Sequence, residues 1–187
     1  MLRLQIIIAS TREGRLGDKV GAWAEKHARE HGKFEIELVD LKQVNLPLFD
    51  EPKHPRFREY TKEHTKRWSE TVSRADAYMI VTSEYDFGPP ASLINALQYL
   101  SQEWAYKPAA MVSYGGVSGG TRCTNALRII LTSLKMMPLM ESVNIPFFAQ
   151  YLNKETGVFD PGEIQAKAVG PMLDELMKWA TAMKTMR

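Results

Sequence analysis

At 187 residues, 44% hydrophobic and 25% charged, the chain has the size and composition of one globular domain that buries a core without cross-links. Its 24 basic residues nearly balance 22 acidic ones and no long block of like charge occurs, so charge offers no case for a nucleic-acid partner. The single cysteine excludes an internal disulfide and any cysteine-based zinc site.

Met1-Leu2-Arg3-Leu4-Gln5 runs straight into a strand pattern, with no charged-then-apolar leader and no apolar run of membrane-spanning length. A cytoplasmic setting without membrane attachment is the expectation. Leu4 to Ala9 is nearly continuous apolar and β-branched, as in a strand buried on both faces. Val20, Trp23, Ala24, His27 and Ala28 recur at helical spacing, and Gly32 supplies a stop. Phe34, Ile36, Leu38, Val39 and Leu41 give a second strand, followed by the proline-punctuated loop Leu46 to Pro52.

A polar helix is predicted from about Arg56 to Arg74, and the basic residues of 53–68 read as its solvated face. Ala77 to Thr82 is a third buried strand, and a helix starts from Pro90 with Leu93, Ala96, Leu97 and Leu100 on one face. Ala109 to Ser113 and Pro138 to Val143 read as strands four and five, with a helix from Thr121 to Lys135 between them. The last helix carries Met172, Leu173, Leu176, Trp179, Ala180 and Met183 on one stripe, with Pro171 starting or kinking it. Strands alternating with helices predict one α/β domain over 1–187: a doubly wound, five-stranded parallel sheet in the flavodoxin-like order 2-1-3-4-5, with helices on both faces.

Three loops then fall at the carboxyl ends of successive strands, where open α/β sheets bind ligands. The first, Ser10 to Gly17, precedes a helix whose free N–H groups and dipole favour an anion. Its Ser10 and Thr11 hydroxyls and the planar forks of Arg12 and Arg15 suit phosphate oxygens. No Gly-Lys-Ser/Thr closes it and the three-glycine dinucleotide spacing is missing, so a terminal phosphate fits better than a pyrophosphate. The bland alternative is a surface loop with two solvated arginines.

The second loop, Ser83 to Pro90, sets Tyr85 and Phe87 beside a Gly-Pro-Pro turn, rings and amides that could form a flat slot. Glu84 and Asp86 either cap local structure or order amides that face a ligand's polar edge. The third, Ser113 to Arg122, holds four glycines and two serines, which allow close backbone approach to a ring or make a flexible connection. Cys123 reads as a small buried thiol, and His27 with His31 as a packed or exposed helix pair rather than a metal site.

These residues resemble the NADPH-dependent FMN reductase family, flavodoxin-like proteins that include quinone, azo and chromate reductases. The first loop is similar to the family's Gly-Ser-x-Arg motif. Ser83-Glu84-Tyr85-Asp86-x-Gly88-x-Pro90 resembles Pro-Glu-Tyr-Asn-x-Gly-x-Pro, and Leu93-Ile94-Asn95-Ala96-Leu97 resembles Leu-Lys-Asn-Ala-Leu. Ser113-Tyr114-Gly115-Gly116-x-Ser118-Gly119-Gly120-x-Arg122 is similar to the third, glycine-rich loop, and Leu46-Pro47-Leu48 matches a common family loop.

By position, the resemblance implies that Ser10, Arg12, Arg15 and Leu16 hold the FMN phosphate and ribityl start. Glu84, Tyr85, Asp86 and Phe87 would border the isoalloxazine, with Ser113, Gly115 and Gly116 as the remaining wall. NADPH or NADH would supply electrons, a small acceptor would take them, and no side chain would act as acid, base or nucleophile. The resemblance also implies a homodimer or homotetramer, with Leu93, Leu97, Tyr99, Leu100 and Trp104 either in that interface or in the core. Three residues depart from the family pattern. Ser83 stands for proline and should loosen the strand exit, Asp86 stands for asparagine, and Ile94 stands for lysine.

Two other readings share the sheet order. A flavodoxin-type electron carrier without nicotinamide activity is usually strongly acidic and lacks arginines in its phosphate loop. A receiver-like signalling domain needs an acidic cluster after the first strand, where Ile7-Ile8-Ala9 offers none.

Overall fold

The computed structural model describes residues 1–187. Strands β1 (Leu2–Ile8), β2 (Phe34–Asp40), β3 (Ala77–Ser83), β4 (Pro108–Tyr114) and β5 (Met137–Ile145) form one sheet, all parallel, in the order β2-β1-β3-β4-β5. Between and after them run α1 (Gly17–His31), the single turn α2 (Leu41–Val44), α3 (Glu63–Ser73), α4 (Ala91–Gln98), α5 (Thr121–Ser133) and α6 (Glu163–Lys184). Short 3-10 turns occupy Pro55–Phe57 and Phe148–Tyr151. The expected five strands and their order are thus found.

Every residue of β3 and β4 is buried, which is why those segments read as unbroken apolar runs. Side chains alternate between two cores. Leu4, Ile6, Met79, Val81, Ala110 and Val112 face α1 and α6, against Trp23, Leu173 and Leu176. Ile7, Tyr78, Ile80, Ala109 and Met111 face α3, α4 and α5, against Trp68, Leu97, Trp104 and Leu127. The sheet is therefore covered on both faces.

The predicted helix from Arg56 to Arg74 is corrected to Glu63–Ser73. Arg58 takes a left-handed conformation at φ 55°, and the Glu51 carboxylate accepts from the amides of Thr61 and Lys62 at 2.9 Å each. Those bonds hold the chain extended until Glu63. The basic residues 53–62 consequently lie on a loop, not on a helical face. Pro171 does not start α6, which begins at Glu163 and continues past it.

Leu93, Leu97, Tyr99, Leu100 and Trp104 are each no more than 1% exposed. Of the two roles open to them, they are core, and any interface between copies is made by other residues. Ser83 does not loosen the strand exit: it is buried, stays in register with Tyr114, and is followed by a bond from Glu84 N to Tyr114 O.

Candidate functional site

The winding of the sheet reverses between β1 and β3, and the three loops that follow β1, β3 and β4 meet above that point. Between them lies a cleft of about 100 Å³, lined by Ser10, Arg12, Arg15, Leu16, Ser83, Glu84, Tyr85, Tyr114, Gly115, Gly116 and Phe148. Larger hollows exist, about 530 Å³ beside Thr11 and Lys42 and about 700 Å³ beside Lys107. Only the small cleft joins a helix N-terminus to all three loops.

In the first loop the amides of Thr11, Arg12, Glu13, Gly14 and Leu16 donate to no acceptor of the chain, and α1 begins immediately afterwards without a side-chain cap. Unpaired donors at a positive dipole end form an anion cradle. Ser10 Oγ is 2.8 Å from Tyr85 Oη, tying the first loop to the second. The two arginines have different surroundings. Arg12 is exposed and pairs with no carboxylate, whereas the Arg15 fork is taken up by Asp40 through Nη1 (2.7 Å) and Nη2, and also donates to Ser10 O. Burial works against the charged form of Asp40, yet the Arg15 fork and the Lys42 amide outweigh it and hold the carboxyl below its usual range.

The second loop turns within two residues. Tyr85 N donates to Gly88 O at 2.9 Å and Gly88 N to Tyr85 O at 2.8 Å, with Asp86 at φ 49° and Phe87 at φ 67°. Both central residues are left-handed, the geometry of a type I′ turn that asparagine and glycine favour. Two adjacent strained residues at a ligand cleft mark a place where local stability yields to shape. Asp86 and Phe87 stand on the exposed rim outside the cleft lining.

Glu84 lines the cleft and also caps an element remote in sequence. Its carboxylate accepts from Ser118 Oγ at 2.8 Å, Arg122 Nε at 2.8 Å and Cys123 N at 3.2 Å, so it closes the N-terminus of α5. Burial opposes ionisation, but these donors prevail and the carboxyl lies below its ordinary value. The Arg122 guanidinium also stacks 3.8 Å above the Phe87 ring. The second and third loops are thereby one unit.

In the third loop Ser113 is fully buried. Its Oγ donates to Gly119 O and accepts from Asn144 Nδ2, each at 2.7 Å, so it shapes the loop from beneath. Gly120, at φ 86°, needs its missing side chain, because a Cβ would stand 2.7 Å from that of Ser113. Gly115 and Gly116 line the cleft, and a Cβ on Gly116 would meet nothing within 4 Å. Gly17, the first residue of α1, is packed more tightly: a Cβ there would lie 2.6 Å from Tyr114 Oη.

The cleft's two phenols differ. Burial works against ionisation of Tyr85, but the hydroxyls of Ser10 and Ser83 and the Arg12 guanidinium outweigh it and lower its pKa. Burial pushes Tyr114 up to about 12 and the Cys123 thiol up to about 11, so both stay protonated. The histidines lie apart from the cleft; His27 meets Glu30 and His31 meets Asp174. Asp40, Ser83, Tyr114 and Phe148 escaped sequence reasoning as site residues. Asp40 becomes visible only once β2 is known to pair with β1, which sets it opposite Ile8.

The residues fit FMN: unpaired amides and Arg12 suit its phosphate, the bare backbone at Gly116 allows close approach, and the buried, unpartnered Ser83 Oγ offers a hydroxyl to the cleft. A parallel sheet in this order that reverses its winding beneath a cleft of unpaired amides, aromatic rings and glycines defines a flavodoxin-like protein. The model of the NADPH-dependent FMN reductase family matches residues 2–150. The chain belongs to that family, an oxidoreductase family that uses FMN with NADPH or NADH as electron donor.

Relatives agree. The chain is 37% identical over 148 residues to an NAD(P)H-dependent FMN reductase of Schizosaccharomyces pombe, covering 77% of this chain and 74% of the relative. It is 30% identical over 184 residues to a quinone reductase of Pseudomonas putida, covering 93% and 92%. The flavoenzyme NAD(P)H:(acceptor) oxidoreductase FerB of Paracoccus denitrificans has the same fold, with a TM-score of 0.76 and 21% identity over 98% of this chain and 99% of that one. No helix is long and apolar enough to cross a membrane.

Proposed function

We propose that the protein carries a hydride from NADPH or NADH, through bound FMN, to a small acceptor: a quinone, an azo compound, a metal oxyanion or free flavin. The observation that carries this reading is the mismatch between cleft and cofactor. Pockets that enclose a drug-sized ligand run to about 300–1,000 Å³, and a cleft of about 100 Å³ is too small to enclose the whole cofactor. Tyr85, Phe87, Val117 and Phe147 expose apolar surface and would border the ring on an open rim. An open, flat face suits a donor and an acceptor that stack in turn. The Pseudomonas putida relative, named a quinone reductase and matched over 93% of this chain, supports a quinone as acceptor.

Bound FMN supplies the redox chemistry, accepting and returning a hydride. The chain's residues bind and orient. Ser10, Arg12, Leu16 and the free loop amides hold the phosphate, while Arg15, committed to Asp40, fixes the loop that carries them. Tyr85, Asp86 and Phe87 border the ring by their backbone, with Glu84 anchoring that turn to α5. Gly115 and Gly116 form the opposite wall, and Ser113 supports it from below. The working form is a homodimer or homotetramer in the cytoplasm.

The test is an absorbance spectrum of protein loaded with FMN and desalted, then treated with NADPH without oxygen. Flavin bands that stay with the protein and bleach are expected. Retained flavin that neither NADPH nor NADH bleaches would favour an electron carrier, and loss of the flavin on desalting would overturn the site.

A further inference from the structure

Tyr114 is the last residue of β4 and only 3% exposed, yet its side chain reaches the cleft beneath the opposite loop. Its hydroxyl lies under the first residue of α1, within 2.6 Å of where a Cβ on Gly17 would stand. Its nearest polar neighbours are the hydroxyls of Ser83 and Ser10. Ser10 Oγ is paired with Tyr85 Oη at 2.8 Å, and Ser83 Oγ is itself buried without a partner. A buried hydroxyl left unpaired costs about 1–3 kcal/mol, so the Ser83 Oγ beside Tyr114 calls for a partner in the cleft. The amides of the first loop are unpaired and α1, uncapped, starts at Gly17 beside this hydroxyl, so an acceptor there is favoured if it is negative.

We infer that Tyr114 is a specificity-determining residue of the flavin site, donating its phenolic hydrogen to the 5′-phosphate and so selecting FMN over riboflavin. The inference rests on the FMN reading above and adds to it a side chain from beneath the sheet's edge. A phenol suits the task because it is neutral and donates, whereas a phenolate would repel a phosphate; burial keeps this one protonated up to about pH 12. Ser83 gains a reason as well. A proline there would leave the floor of the cleft without a second hydroxyl, and this chain has serine. Gly17 follows from the same geometry, since a side chain at that position would displace the hydroxyl.

The experiment titrates apo-protein with FMN and with riboflavin, following flavin fluorescence, for wild type, Tyr114→Phe and Gly17→Ala, with thermal unfolding of each apo-protein alongside. Losing one hydrogen bond to a charged group should weaken FMN binding by about tenfold to a hundredfold, with riboflavin binding unchanged in Tyr114→Phe. Gly17→Ala should narrow the FMN-to-riboflavin ratio in the same direction, and it carries the test should Tyr114→Phe fail to fold. Equal losses for both flavins would make Tyr114 a packing residue and overturn the inference, as would an unchanged ratio in a folded variant. A wild type that binds neither flavin would instead overturn the FMN reading on which the inference stands.

Discussion

Asp86 illustrates what a single side chain does at this site. Its backbone is left-handed, at φ 49°, a conformation in which asparagine is more at ease than aspartate or most other residues. The charge is exposed, on a rim held by the Tyr85–Gly88 turn and by the stack of Arg122 on Phe87. A carboxylate beside the ring disfavours added negative charge on the flavin, so Asp86→Asn should raise the reduction potential of the loaded protein. An exposed charge interacts by about 1 kcal/mol or less, on the order of 20 mV for a two-electron couple. A redox titration of the two proteins side by side decides; an equal or lower potential in the variant would remove Asp86 from any electronic role. Arginine shows the limit of reading residues singly. Arg12 and Arg15 are indistinguishable as types in a phosphate-suited loop, but Asp40 comes from another strand and leaves one of them free.

At the scale of elements, Glu84 binds two loops and a helix together. It leaves β3, reaches across the sheet edge and accepts from Ser118, Arg122 and the Cys123 amide at the start of α5. A carboxylate at a helix N-terminus is favoured by both the dipole and the unpaired amides. Glu84→Gln keeps the shape and removes the charge. It should lower stability by about 1–2 kcal/mol and speed hydrogen exchange in the first turn of α5, read by thermal unfolding and by exchange at the Cys123 amide. Unaltered exchange there would assign the cap to Ser118 alone. The periodicity of apolar residues located α1, α4, α5 and the second half of α6, because each buries one stripe, but missed the start of α6 at Glu163. It misplaced the start of α3, because residues 56–62 keep helical composition while a 3-10 turn, the left-handed Arg58 and the bonds of Glu51 to Thr61 and Lys62 interrupt them.

For the whole molecule, acid is the weak direction. Burial works against the ionised form of Glu51, but the amides of Thr61 and Lys62 and the hydroxyls of Thr65 and Thr61 outweigh it and bring the pKa from 4.5 to about 2. A carboxyl depressed in the folded state stabilises fully above its unfolded value and loses that contribution as pH falls through its folded value. Glu51 therefore holds the loop of residues 51–62 in place above about pH 4.5, and its contribution disappears between there and about pH 2. Asp40, Glu37, Asp76 and Glu84 shift in the same direction. Glu51→Gln should lower the melting temperature near neutrality, with the gap to wild type closing as pH falls toward 2. A gap that persists at low pH would mean the side chain acts through packing instead of charge.

Strand identity, sheet order and the three loops that meet at the cleft were legible in the sequence, since apolar runs, helical stripes and glycine-rich turns are local patterns set by burial and backbone sterics. The loops even carried their chemistry: an anion cradle, a two-residue aromatic turn and a glycine ledge. What tertiary structure alone decided was which side chains within those loops are free to meet a ligand. Arg15 pairs with Asp40, Glu84 with α5 and Ser113 with Gly119, and Tyr114 and Ser83 join Arg15 and Glu84 in lining the cleft. Those assignments depend on partners brought from distant strands by parallel pairing, and a hydrogen bond between residues far apart in the chain leaves no spacing to read.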